Sequence, residues 1–457
     1  MSEREFDVVV LGAGPAGEVA AGRLAEGGFS VALIESHLIG GECSFYACMP
    51  SKALLRPGEL LDETRRVPGA AEAVKGRLDP QAVLDRRDEV IHDLDDSGQL
   101  PWLRERGIEL FRGEGRLDGE RRVAVGDDML IARRAVVVAT GTSAAIPPID
   151  GLETVRTWSN REGTTSKRIP ASMIVLGGGP VGAELAQAWS TLGTKVTLIE
   201  GAERLLPREE PFAGEQLAES LRDNHGIDVR VGAKAERVDS AGAGIVVELG
   251  EDGQVEASEI LVAVGRRARI DGIGLDSIGI EPDGFLDTDD RLRVGERDWL
   301  YAIGDVNGRA LLTHMGKYQA WVAAENILGR ETVATAEATG SPRVTFTDPQ
   351  VAAVGKTLAE AKDAGIDASA TDVDTDGTAG ASFQGKGTGG TSRIVVDETA
   401  KTIVGATFVG FETADFLHAA TVAIAGEVPL AKLRHAVPAY PTRSEVWLKL
   451  IEAHERL

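Results

Sequence analysis

Cys43 and Cys48 are the only two cysteines among 457 residues, and they lie five residues apart in Gly40-Gly41-Glu-Cys43-Ser-Phe-Tyr-Ala-Cys48-Met-Pro-Ser-Lys52. Three chemistries suit such a pair. As metal ligands they supply two of the four positions that a structural zinc needs, and no Cys-x-x-Cys or His-x-x-x-His partner accompanies them, so no metal is expected. As small buried apolar residues their spacing would be accidental. As a redox couple they would exchange electrons by thiol–disulfide chemistry, and this reading accounts for the pairing. Geometry adds a condition. On a regular helix, residues i and i+5 sit about 140° apart around the axis and about 7.5 Å along it, so their Cα atoms lie roughly 8.6 Å apart. A disulfide needs about 4.4–6.8 Å. The helix carrying the pair must therefore be distorted, and Pro50, which disfavours helical geometry at Met49, is the expected cause.

The elements around the pair repeat. Phe6-Asp-Val-Val-Val-Leu-Gly12-Ala-Gly14-Pro-Ala-Gly17 reads as a strand running into a glycine turn, then a helix from Glu18 to Glu26, then a strand Phe29–Glu35 that ends in an acid. Met173-Ile-Val-Leu-Gly177-Gly-Gly179-Pro-Val-Gly182 repeats this, with a helix over Ala183–Leu192 and a strand Lys195–Glu200. The copies are offset by 165 residues, and each acid follows its third glycine by 18. The first glycine permits the turn, the second lets a pyrophosphate approach the backbone, and the third lets the helix pack on the strand with its N-terminus toward phosphate. The acid accepts hydrogen bonds from a ribose diol. Two dinucleotide sites follow, in an α/β chain. Further strands end in glycine turns at Ala135–Thr142, which contains Thr140 and Gly141, at Ile260–Gly265 and at Trp299–Asp305. Pro147-Pro148 and the stretch from Gly265 to Ile270 read as crossovers between domains. The Gly-rich tract Gly377–Gly390 reads as a mobile surface loop, and residues 55–108 as helical, including a run from Ala82 to Leu94.

Composition narrows the class. The net charge is −23, from 49 Lys and Arg against 72 Asp and Glu, which opposes binding to nucleic acid or to an anionic membrane. Two cysteines exclude a disulfide-stapled secreted scaffold. The acidic start lacks the basic and apolar regions of a signal peptide, and no apolar run approaches a membrane span. A soluble, cytoplasmic protein is expected.

With these motifs in view, the chain resembles the class I pyridine nucleotide–disulfide oxidoreductases, the group of dihydrolipoamide dehydrogenase, glutathione reductase and mercuric reductase. The resemblance runs along nearly the whole chain and rests on the Gly-Gly-x-Cys-x-x-x-x-Cys-x-Pro-Ser-Lys signature, on Ala302–Val306 and on Thr347–Gly355. It implies two Rossmann-like domains and a C-terminal α+β dimerisation domain: FAD in 1–148 with 271–335, NAD(P) in 149–270, and dimerisation in 340–457. It implies that one non-covalent FAD per subunit is held by Gly12, Gly14, Gly17, Glu35, Thr140, Gly141 and Asp305, and that Lys52 sits near the flavin and pairs with Glu184. Cys48 would be the flavin-proximal thiol and Cys43 the interchange thiol. Gly177, Gly179, Gly182, Glu200 and Gly265 would hold the nicotinamide nucleotide. A carboxylate at Glu200 repels a 2′-phosphate, so NADH is expected over NADPH, although Arg204 and Arg208 nearby leave dual use open.

One position departs from the family. Where the resemblance calls for His-Pro-Thr-x-x-Glu, with the His acting on the interchange thiol across the dimer interface, this chain has Tyr440-Pro441-Thr442-Arg443-Ser444-Glu445. Glu445 is kept. Tyr titrates near pH 10 and is a poor base at neutral pH. His435 reaches the site only if the backbone leaves the family path. With no third cysteine, mercury reduction is disfavoured. The expected activity is NADH oxidation coupled to a small-molecule or disulfide acceptor. The alternatives are a dihydrolipoyl dehydrogenase, a quinone or metal-ion reductase, and a slow redox sensor.

Overall fold

The computed structural model describes residues 2–242, 244–281 and 283–456. Two compact units form, one from Met1–Pro50, Asp88–Ala145 and Gly265–Glu337, the other from Ser51–Arg87, Ile146–Val264 and Ala338–Leu457. Each contains one copy of the glycine repeat on a parallel sheet.

In the first unit the strands Glu109–Arg112, Val31–Glu35, Ser2–Leu11 and Asp128–Val138 run parallel in that order, and Leu300–Ala302 joins Asp128–Val138. Arg122–Val125 and Gly115–Leu117 continue the sheet antiparallel. Val8, Val9 and Val10 are fully buried, as expected of a parallel strand covered on both faces. The helix Pro15–Glu26 buries Ala16, Gly17, Ala20, Ala21 and Leu24, a stripe of mostly small residues that allows close approach to its neighbours.

In the second unit the parallel order is Asp228–Val231, Lys195–Glu200, Ser172–Leu176, Glu259–Val262, Thr157–Trp158. A three-stranded antiparallel sheet, Arg237–Ala241, Gly244–Glu248 and Gln254–Ala257, follows in the chain before Glu259–Val262. Trp189 is fully buried edge-on to Trp158 and donates its indole N–H to Gly163 O at 3.0 Å. The same unit carries an antiparallel sheet ordered Arg343–Thr345, Gln350–Gly355, Thr402–Gly410, Thr391–Asp397, Ala368–Asp374. The helices Thr413–Ala425 and Val446–His454 bring Phe416 and Trp447 onto Phe408 of this sheet, with ring centroids 5.1 and 5.4 Å away.

Two expectations change. The helix expected over Ala82–Leu94 spans Pro80–Val90, because His92, Asp93 and Leu94 all adopt positive φ and turn the chain. The Gly377–Gly390 tract is not a featureless loop. It contains a turn of helix over Gly380–Gln384, and Gly380 packs so closely on Thr442 that a Cβ there would lie 2.2 Å from its carbonyl carbon.

Candidate active site

The two glycine loops match bond for bond. Gly12 and Gly177 turn at φ 100° and 104°, and their N–H groups donate to Ile34 O and Ile199 O at 2.9 and 2.8 Å. A Cβ at Gly17 would lie 1.8 Å from Gly12 O, and one at Gly182 would lie 1.8 Å from Gly177 O, so helix and turn interlock only through glycine. A Cβ at Gly14 or Gly179 meets nothing within 4 Å, so there the loop faces open space. Glu35 accepts from Ala13 N and His37 N, both at 2.7 Å. Glu200 accepts from Gly178 N at 2.6 Å and Ala202 N at 2.7 Å. Both acids thus tie their loop to the following turn, and each oxygen keeps a lone pair for a ribose hydroxyl. Open backbone above an interlocked turn, with an anchored acid beside it, fits a dinucleotide in each unit.

In the first unit Asp305 lies in the turn Gly304–Asn307 and accepts from Thr142 Oγ1 at 2.8 Å, while burial pushes its carboxyl up from the ordinary range. Thr140 Oγ1 donates to Arg269 O at 2.7 Å, and Gly141 has φ 71° with open space at its Cα. Gly265, at φ 149°, also faces open space, and its carbonyl accepts from Ala145 N at 3.0 Å.

The thiols belong to this first cradle. Gly40 N donates to Ala13 O at 2.8 Å, and a Cβ on Gly41 would lie 2.8 Å from Gly14 Cα. The paired glycines before Cys43 therefore let the thiol segment pack directly on the phosphate-type loop. Cys43 lies in the helix Gly41–Phe45, and Cys48 opens the helix Cys48–Arg66. The required distortion is a break at Tyr46 and Ala47, where Tyr46 has φ −135° and ψ 2°. Pro50 is not its cause. Met49 and Pro50 are both helical, and the proline sits in the first turn, where its missing N–H costs nothing. The two cysteines are unbridged here, and their side chains are in hydrogen-bonding contact. That bond, followed by burial, pushes the Cys43 thiol well above its ordinary range, against opposing effects of Thr313 and Lys317. Cys48 Sγ is 3.4 Å from Thr313 Oγ1.

In the second unit Lys52 Nζ donates to Glu184 Oε2 at 2.7 Å and lies 4.7 Å from the centre of the Phe346 ring. Glu184 is buried, and its other oxygen accepts from Phe346 N at 2.9 Å. Glu445 accepts from Gly380 N at 3.2 Å. Tyr440 is 79% exposed in the single subunit, beside an equally bare Val437. His435 is also exposed, in the turn after the helix Leu430–Leu433.

Sequence reasoning missed Thr313 and Lys317, one turn apart on the helix Thr313–Ile327. It missed Gln319, which is fully buried and accepts from Gly304 N and Asn307 Nδ2 at 2.7 and 2.9 Å, fixing the turn that carries Asp305. It also missed Glu18, in the first helix after the glycine turn, whose carboxyl burial raises to about 7.

Comparison with known proteins settles the family. The family model for pyridine nucleotide-disulphide oxidoreductases matches residues 6–327, and that for their dimerisation domain matches 341–451. The chain belongs to the pyridine nucleotide–disulphide oxidoreductase family. Members of this family are FAD-dependent enzymes that use NAD(P)H, and the matched C-terminal domain is the one through which they dimerise. A dihydrolipoyl dehydrogenase of Chlorobaculum parvum is 34% identical over 455 residues, 97% of this chain and 96% of that one. A dihydrolipoyl dehydrogenase of Chlamydia muridarum is 32% identical over 97% of this chain and 95% of its own length. A mercuric reductase of Staphylococcus aureus is 28% identical, and the match covers 96% of this chain and 81% of that protein. Among solved structures, the HOCl-induced flavoprotein disulfide reductase RclA from Escherichia coli superposes with a TM-score of 0.87 at 24% identity, covering 98% of this chain and 99% of that one. LpdA from Mycobacterium tuberculosis gives 0.84 at 25%, covering 99% of each chain. The chain is thus an oxidoreductase of the flavoprotein disulfide reductase type, with two Rossmann-like parallel-sheet regions and a C-terminal dimerisation domain. Among the described residues no helix is long and apolar enough to cross a membrane.

Proposed function

We propose that this chain is a homodimeric FAD enzyme that oxidises NADH and delivers two electrons through Cys48 and then Cys43 to a disulfide or another small acceptor. The observation that carries this reading is the contact between Cys43 and Cys48 on a segment packed against the Gly12–Gly17 loop. In this reading 1–148 with 271–335 hold FAD, 149–270 hold the nicotinamide nucleotide and 340–457 pair the subunits, in a cytoplasm that keeps thiols reduced. Bound flavin supplies the two-electron link between nicotinamide and disulfide.

The remaining steps belong to the chain. Reduction opens the Cys43–Cys48 bond, leaving two sulfurs in hydrogen-bonding contact. Cys48 stands at the N-terminus of a 19-residue helix, a place that favours a thiolate. Cys43, as a thiolate, attacks one sulfur of the acceptor and expels the other as a thiol. Cys48 then attacks Cys43, releases the second thiol and restores the disulfide. In sum NADH, a proton and one disulfide become NAD+ and two thiols. The step that needs help is ionisation of Cys43, since its surroundings hold the thiol neutral. Tyr440 in place of an imidazole leaves that step without a base suited to neutral pH.

A carboxylate such as Glu200, fixed by two backbone donors, would repel a 2′-phosphate brought to this loop, which supports NADH over NADPH. Steady-state NADH oxidation against low-molecular-weight disulfides, protein disulfides and quinones tests the reading. Fast turnover with a disulfide that is lost in Cys43→Ser supports it, and quinone turnover indifferent to Cys43→Ser sinks it. The names of the similar proteins favour a second reading, dihydrolipoyl dehydrogenase, which predicts rapid dihydrolipoamide-dependent NAD+ reduction at pH 7.

A further inference from the structure

His225 follows the helix Pro211–Asp223, and its side chain is 6% exposed. Its Nε2 is buried and has no hydrogen-bond partner. A buried ring nitrogen in that state needs an explanation, because leaving it unmet costs what a lost hydrogen bond costs. The nitrogen is not in apolar surroundings. Two carboxylates lie beside the ring, Asp62 from the helix Cys48–Arg66 and Asp348 from the turn before Gln350–Gly355, and one ligand atom of each of the three residues lies within 4.8 Å of the others. Nε2 to Asp348 Oδ2 is 3.8 Å, too long for a hydrogen bond.

We infer that Asp62, His225 and Asp348 form a binding site for a divalent first-row cation of the zinc type, distinct from the Cys43–Cys48 pair. Ligand chemistry and distance both point there. Zinc binds imidazole nitrogen and carboxylate oxygen at about 2.0–2.2 Å, which sets ligand atoms about 3.4 Å apart in a tetrahedron. The 3.8 Å separation closes to that by a shift of a few tenths of an ångström. An imidazole lone pair disfavours Ca2+ and Mg2+, which prefer oxygen alone. The ring also donates a hydrogen bond to the Asp348 backbone carbonyl, and Ser190 Oγ donates to the His225 carbonyl at 2.6 Å. Such second contacts orient metal-binding histidines. Three protein ligands leave the remaining positions to water.

The site has a built-in competitor. Arg66, one turn beyond Asp62 on the same helix, donates its Nη2 to Asp348 Oδ2, the oxygen that faces His225. The guanidinium neutralises part of the charge that would draw a cation and occupies an oxygen the cation wants. The cation therefore binds weakly in the wild-type protein and more tightly when Arg66 is removed.

The test uses the FAD-loaded, air-oxidised full chain, stripped with a chelator and titrated with Zn2+ by equilibrium dialysis and metal analysis. One Zn2+ per subunit is expected. His225→Gln should weaken it at least 10-fold, since losing even a supporting outer contact costs about 10-fold to 100-fold. Arg66→Met should tighten it about 10-fold or more. Cys43→Ser with Cys48→Ser should leave it in place. X-ray absorption at the zinc edge on the wild type should show nitrogen and oxygen near 2.0–2.2 Å, with no sulfur shell near 2.3 Å. A sulfur shell, binding unchanged in His225→Gln, or affinity unchanged in Arg66→Met overturns the assignment. The wild-type spectrum decides the matter if a variant fails to fold.

Discussion

Replacing Glu200 should do two things at once, because the carboxylate anchors the loop and, in the proposed reading, also faces the nicotinamide nucleotide. Glu200 Oε2 accepts from Gly178 N at 2.6 Å and Oε1 from Ala202 N at 2.7 Å. Hydrogen bonds to a charged group contribute roughly 1.5–3 kcal/mol each, and a buried donor left unmet carries the full desolvation cost. Gly178 is buried, so its N–H has nowhere else to go, whereas Ala202 is half-buried and its N–H can turn to water. Glu200→Arg should therefore cost about 2–4 kcal/mol of local stability. It should gain no more than about 1–3 kcal/mol of NADPH selectivity, a factor of ten to about a hundred. Glu200→Gln keeps one acceptor and removes the charge. It should raise the NADPH-to-NADH ratio of kcat/KM about tenfold while KM for NADH rises only modestly. Glu200→Arg should lose efficiency with both nucleotides and exchange amide hydrogens faster at Gly178. Steady-state kinetics with both nucleotides and hydrogen exchange across 177–202 make the comparison. A clean inversion to NADPH in Glu200→Arg, with exchange unchanged at Gly178, would refute the claim that the acid holds the loop.

Other outcomes follow from the thiols and the buried acids. Dihydrolipoamide oxidation should be slow at pH 7 and rise toward alkaline pH as Cys43 ionises, and Tyr440→His should raise the pH 7 rate by as much as 10²–10⁴, since Glu445 remains in place; wild-type turnover at pH 7 matching the speed of reduction by NADH would count against this. Anaerobic two-electron reduction should give a long-wavelength thiolate–flavin absorption that Cys48→Ser abolishes and Cys43→Ser keeps, and the reverse pattern would exchange the two roles. Glu184→Gln should slow reduction by NADH and lower thermal stability, because it leaves Lys52 without its 2.7 Å partner; unchanged melting and reduction rate would remove the pair from the mechanism. Glu18 has its folded titration raised from 4.5 to about 7, so the unfolded chain ionises first and stability falls as pH rises through that window; Glu18→Gln should flatten the fall by up to about 3 kcal/mol in apoprotein melts between pH 5 and 8.

What the sequence made legible is what local spacing dictates. The glycine repeats could be read because each glycine answers a steric demand within a few residues, and the 165-residue offset recurs in the anchoring bonds, Ala13 N to Glu35 and Gly178 N to Glu200. The need for a distorted helix at the cysteines was likewise a matter of i to i+5 geometry. Its location was not, because packing of Gly40 and Gly41 on Ala13 and Gly14 sets where the chain must turn. The Gly377–Gly390 tract reads as flexible by composition, yet its glycines serve close approach to Thr442 and Val409, a tertiary demand with no local mark.

The Asp62–His225–Asp348 cluster is the extreme case. Its members come from the far end of the Cys48 helix, a loop after a helix of the parallel-sheet region and a turn of the C-terminal sheet, so no window of the chain contains two of them. The same tertiary contact that gathers them brings in Arg66, whose guanidinium holds Asp348 in place when no cation is bound. An arginine in that role offsets the charge of the half-buried Asp348 carboxylate without a permanent metal, since an unpaired charge held away from water is costlier than a paired one. It also makes occupancy depend on the free cation concentration, so the cluster can respond to a cation without requiring one to fold.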